Sequence, residues 1–186
     1  FAEFEHSLGI RSTYFVLLSS NFYNMFSKKS QDIIRSIQNL GHAVGLHFDE
    51  TRYHIETRQE FETYVKKEFS LFKDKIDGAD NSVSMHRPSK LALNGNFDFG
   101  DVVNTYSQKF LSEYKYVSDS RMNWREDIFS IITSRTHNRL HILTHPFWYH
   151  KTELSMKETL IRFLSRKNDE MYCELGQNIR DLDDVL

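Results

Sequence analysis

Short β-branched and aromatic runs alternate with helices that carry their own start and stop signals, and this alternation constrains the fold more than any other feature. Residues 13–18 (Thr-Tyr-Phe-Val-Leu-Leu) read as a buried strand. Ile33, Ile34, Ile37 and Leu40 follow at helical spacing and are closed by Gly41. Residues 43–48 read as a second strand. Thr57-Arg-Gln-Glu60 spells a capping box, in which the hydroxyl caps a backbone N–H and the glutamate reaches back. Behind it Phe61, Tyr64, Val65, Phe69 and Phe72 form one apolar stripe of a long amphipathic helix. Residues 82–85, 116–117 and 140–144 read as further strands, and Ser155-x-x-Glu158 opens another capped helix. Residues 1–8 read as the end of a helix stopped by Gly9. Residues 97–114 contain a helix, 128–133 fit helix or strand, and 171–175 read as one more strand. Such alternation predicts an α/β fold with a parallel sheet or barrel. No repeat or linker interrupts it, so residues 1–186 are expected to form a single α/β domain.

Composition narrows the function. With 39% hydrophobic residues and 15 Phe, the chain has ample apolar surface to offset its ordering entropy, which excludes disorder. Its 24 basic and 26 acidic residues are scattered, so no nucleic-acid partner is expected. No apolar run reaches the ~18 residues of a membrane span. No signal peptide is visible. Cys173 is the only cysteine, so no intrachain disulfide can form, which suits a reducing, cytoplasmic setting. Oligomeric state is unreadable from these features.

In parallel α/β folds chemistry gathers at the C-terminal ends of the strands. Here the second strand runs out through His47-Phe48-Asp49, the third through His86-Arg87-Pro88, the next through Asp119-Ser120, and the last through His145-Pro146-Phe147-Trp148. Four consecutive strands are thus expected to bring imidazole, guanidinium and carboxylate groups to one edge. Such a set supports metal-assisted hydrolysis. Neutral imidazoles and a carboxylate bind Zn²⁺ or a similar divalent ion and leave a position for water. Another carboxylate can accept a proton, a separate histidine can protonate the leaving amine, and an arginine can hold a carboxylate ionised.

These segments resemble the polysaccharide deacetylases, carbohydrate esterase family four. Gly41-His42-Ala43-Val44-Gly45-Leu46-His47 is similar to the family's "GHEIGxH" segment, and Gly9-Ile10-Arg11-Ser12-Thr13-Tyr14-Phe15-Val16 to its "G(I)xATFFV" strand. His86-Arg87-Pro88 resembles its Arg-Pro motif, residues 116–120 with Trp124 its Asp-and-Trp motif, and Leu143-Thr144-His145-Pro146 its Leu-x-His motif. The closest flavour is the deacetylase-like proteins of bacterial surface-polysaccharide synthesis, with their "GLHFD" and "HRPS" segments. The resemblance implies a distorted (β/α) barrel of about seven parallel strands and metal-dependent N-deacetylation of an N-acetylated sugar or glycan intermediate, with zinc the expected ion. By position it makes His47 a metal ligand, Arg87 the arginine that orients a base, and His145 the acid.

The pattern departs from the family at two points. The family's paired aspartates lie on a strand before its first helix, so either that first strand lies upstream of this sequence or the catalytic base and one ligand are absent. Thr51 stands where the second ligand histidine falls. From placement, His86 is the preferred second ligand, with Asp49 next, and Asp49 and Asp119 join the catalytic candidates. Trp148 and Trp124 are candidates for stacking on sugar C–H faces, with Ser120 and Arg125 as further substrate contacts. His6, His42, His137, His141 and His150 are expected to be structural or surface residues. The alternatives are a non-catalytic carbohydrate-binding relative, or a metal-assisted hydrolase of another ester or amide.

Overall fold

A computed structural model describes residues 1–184 and shows a mixed α/β chain. Four parallel strands lie in the order β1 (Thr13–Leu17), β2 (Ala43–Asp49), β3 (Ser82–His86) and β4 (Val103–Asn104). A second, two-stranded sheet pairs β5 (Lys115–Ser118) with β6 (Leu140–Leu143). The sheets of the described residues therefore hold four and two strands, where about seven in one barrel were expected. The chain divides into two compact units. Phe1–Tyr116 with Phe129–His141 forms the first, and Val117–Ile128 with Ile142–Leu186 the second.

Helices α1 (Ala2–Ser7), α2 (Lys28–Asn39) and α3 (Arg58–Lys75) precede β1, β2 and β3. Ser27 caps α2, and Thr57 with Glu60 forms the expected capping box on α3. His42 is structural: it accepts from Ser12 N (3.2 Å), and its Nε2 lies 2.9 Å from the Ala2 carbonyl. Residues 97–114 contain a helix, as expected. Only α5 (Gln108–Ser112) forms there, after the short strand β4, while α4 (Lys90–Asn94) comes earlier and residues 128–133 fall in α6 (Ile128–Ser134).

Register divides the two faces of β2 and β3 by chemistry. Leu46 pairs with Val83 and Phe48 with Met85, and these side chains join the buried core with Phe61, Val65 and Phe72 of α3. One residue along, on the opposite face of the pleat, His47 pairs with Ser84 and Asp49 with His86. Gly45 lies on this second face as well. A Cβ added there would meet Ser82 Oγ at 2.5 Å and the Phe15 ring at 2.7 Å, so these two side chains pack over Gly45 and leave no room for a methyl.

In the second unit, α7 (Met156–Asn178) runs 23 residues from the Ser155–Glu158 capping box. It absorbs residues 171–175, expected as a strand. A five-residue run in which Met171, Glu174 and Leu175 are good helix formers cannot stop a helix that has no Gly or Pro breaker until Gly176 and continues to turn at every residue.

Candidate functional site

The chemistry-bearing residues fall into two groups, one within each unit. In the first unit the exits of β2 and β3 bring His47 and His86 together, with His47 Nε2 and His86 Nδ1 3.1 Å apart. The rings meet edge to face at 4.9 Å between centroids. Beside them Asp49 is buried and both of its oxygens are engaged. Oδ1 accepts from the Thr51 hydroxyl (2.8 Å) and main chain (3.2 Å), and Oδ2 accepts from Arg87 Nη2 (2.7 Å). Burial would raise the Asp49 carboxyl, but the hydrogen bonds from Thr51 and Arg87 outweigh it and hold the group below its ordinary value. Asp49 is therefore an oriented anion at neutral pH.

Arg87 is held with equal definition. Its Nη2 also donates to Thr51 Oγ1 (3.1 Å), and its backbone lies in the left-handed region at φ 51°. The next turn is tied down by Glu50, which accepts from Ser89 N, and Ser89 caps α4.

As it stands the pair is a hydrogen bond between the two rings; with both nitrogens deprotonated it has the chemistry and spacing of two metal ligands. Two imidazole nitrogens bound tetrahedrally at about 2.05 Å stand about 3.3 Å apart, close to the distance found. Among the described residues no group of three or more His, Cys, Asp or Glu could hold an ion. An ion here would take two nitrogens from the described residues and leave its other positions to further donors.

The second group lies where β5 and β6 end. Asp119 is buried and accepts from three donors: the His145 main chain (3.0 and 3.1 Å), the His145 ring at Nδ1 (2.6 Å) and the Tyr149 hydroxyl (2.9 Å). This fixes the imidazole with Nδ1 toward the carboxylate and leaves Nε2 as the nitrogen for proton transfer. Burial first, and then the Asp119 hydrogen bond and charge, push the Tyr149 phenol above its ordinary range. The pairs Asp49–Arg87 and Asp119–His145 each join two residues picked out in the sequence. Thr51 and Tyr149 complete them and were not assigned such roles. Tyr149 carries one legible signal, its place four residues after His145 across a proline turn.

The proposed sugar contacts are less uniform. Trp148 is half-buried, its ring packs edge to face on Phe147 (4.8 Å), and its indole Nε1 is buried with no hydrogen-bond acceptor among the described residues. Trp124 is half-buried and Arg125 exposed. The Ser120 hydroxyl bonds Ser118 at 2.8 Å. No described helix is long and apolar enough to cross a membrane. No family profile, curated protein or solved structure matches the chain.

Proposed function

We propose that this chain is a metal-dependent hydrolase that removes an acetyl group from an N-acetylated sugar, working in the bacterial cytoplasm on an intermediate of surface-glycan assembly. The observation that carries the reading is the 3.1 Å approach of His47 Nε2 to His86 Nδ1 at the ends of two adjacent parallel strands. The substrate class rests on the ordered resemblance of the strand-end motifs to the polysaccharide deacetylases. The polar face of β2 and β3 supports placing the parallel strands in a distorted barrel, since a barrel interior can carry such a face.

His47 and His86 would hold the ion. A divalent ion such as zinc, when bound, supplies a water of lowered pKa and polarises a carbonyl oxygen. Asp49 contributes fixed negative charge beside the imidazoles, and Arg87 and Thr51 hold that carboxylate ionised and in one orientation. Within the second unit Asp119 holds the His145 ring at Nδ1 and leaves Nε2 as its nitrogen for proton transfer, the acid role that the resemblance gives His145.

The test is metal content and acetate release in protein purified without chelator or histidine tag. About one equivalent of zinc or a similar ion in the wild type, lost in His47→Ala and in His86→Ala, is the expected result. His145→Ala should keep the metal and lower acetate release from N-acetylhexosamines by roughly 10²–10⁴. Absence of metal from the wild-type protein after reconstitution refutes the reading and leaves carbohydrate binding without catalysis. Hydrolysis of acetyl esters alone would keep the metal site and move the substrate class.

A further inference from the structure

Helix α7 has two unlike sides. On one, Thr159 is buried against His150 and Phe163 packs on Phe147. Beside it runs a stripe of large apolar side chains open to solvent: Met156, Leu160, Ile161, Leu164, Met171, Leu175 and, just past the helix end, Ile179. At about 100° per residue these seven fall within an arc of about 140°. Leu164 is 65% exposed and Met171 62%, and together the stripe makes one contiguous apolar patch rather than scattered single residues.

Six of the seven form a palindrome, while Ile161 at the edge of the stripe mates with Glu174. Leu164 and Met171 are equally far from the midpoint between Lys167 and Asn168, as are Leu160 and Leu175, and Met156 and Ile179. A second α7 laid antiparallel across that midpoint sets each of these six apolar residues opposite its mate. A parallel copy would instead face each residue with itself.

Charge selects the same arrangement. From Met156 to Lys167 the helix has four basic residues (Lys157, Arg162, Arg166, Lys167) and one acidic (Glu158). From Asn168 to Ile179 it has three acidic residues (Asp169, Glu170, Glu174) and no basic one. Packed helices lie about 8–10 Å apart, within the range of charge interactions at physiological salt. Antiparallel pairing sets the basic half of each helix beside the acidic half of the other, and the two helix dipoles also oppose.

We propose that α7 is an isologous homodimerisation surface, on which a second copy of this chain docks antiparallel about a two-fold axis at Lys167–Asn168. The helix is 23 residues long, so the contact extends over about 35 Å. Lys167 and Asn168 at its centre set the register, as a polar pair does in a coiled-coil seam. This inference is independent of the hydrolase reading.

Sedimentation equilibrium of the full chain should show a dimer. Leu164→Asp should raise its dissociation constant about 100-fold or more, because each copy loses a buried leucine and gains a charge. Circular dichroism of the variant should keep the wild-type helix content. Orientation is read in a Cys173→Ser background with a short bismaleimide. Leu164→Cys protein should link to Met171→Cys protein, and neither should link to itself. A monomer throughout the concentration range overturns the proposal, and self-linking of Leu164→Cys replaces it with a parallel pair.

Discussion

Asp119→Asn keeps the shape of the second unit's polar centre and removes its charge. The buried carboxylate accepts from the His145 main chain, the His145 ring and the Tyr149 hydroxyl. An asparagine offers one acceptor oxygen, and its amide presents two N–H groups to partners that are themselves donors. At least one buried donor loses its acceptor, at about 1–3 kcal/mol, and the remaining bonds lose charge assistance. Both His145 and Tyr149 have part of their side chains in water, so solvent recovers some of this. The expected loss is about 2 kcal/mol in urea denaturation followed by far-ultraviolet circular dichroism. A second readout follows from Tyr149, whose phenol is raised by burial and by Asp119. In the variant it should titrate closer to its ordinary value of about 10. A raised phenol pKa favours the folded state below that ordinary value, and this contribution is lost as pH rises through the folded one. The wild type should therefore lose stability on the alkaline side more steeply than Asp119→Asn. A change below about 0.5 kcal/mol together with an unaltered Tyr149 titration would refute the assignment of Asp119 as the group that holds His145.

Two further outcomes concern the first unit. Gly45→Ala should destabilise it by about 1–3 kcal/mol in the same assay, since the added methyl meets Ser82 Oγ at 2.5 Å and Phe15 at 2.7 Å; wild-type stability would mean that Ser82 and Phe15 pack less closely over Gly45. Asp49 is held below its ordinary carboxyl value, so its contribution is present above about pH 4 and is lost as pH falls through its folded value. Arg87→Ala removes one of its donors and should move the acid-unfolding midpoint upward; an unmoved midpoint would separate Asp49 from Arg87 in solution.

What the sequence disclosed depended on how local the signal was. Capping boxes at Thr57 and Ser155 are four-residue signals, and both helices start where these place them. Strand ends are equally local, so His47, Asp49, His86, Arg87, Asp119 and His145 could be named without a fold. Their partners were a matter of register. Asp49 meets Arg87 because Asp49 pairs with His86 across β2 and β3, and no pattern within either segment encodes that. Residues 171–175 show the reverse error: Met-Tyr-Cys-Glu-Leu is expected as a strand, yet Met, Glu and Leu are good helix formers and the run lies inside a helix whose cap is 16 residues earlier. The roles of Thr51 and Tyr149 were hidden for a simpler reason, since a hydroxyl that donates to a carboxylate leaves no periodicity.

Backbone strain accompanies the contacts at the exits of β2 and β3, as a left-handed φ does at Asn96, Arg121, Met122, Arg135 and Asp181 elsewhere. Arg87 precedes Pro88, and the residue before a proline is driven toward extended geometry. It lies instead at φ 51°, a conformation that costs a non-glycine residue about 1–3 kcal/mol. Such a conformation persists only where its surroundings impose it. Here the guanidinium is fixed by Asp49 and Thr51 on the β2 exit, and the following turn by Glu50 from that same exit. All three contacts tie the end of β3 to the end of β2, the two segments that carry the paired histidines. The contacts that accompany this conformation hold the exits of β2 and β3 together, where two imidazole nitrogens lie 3.1 Å apart beside an oriented carboxylate.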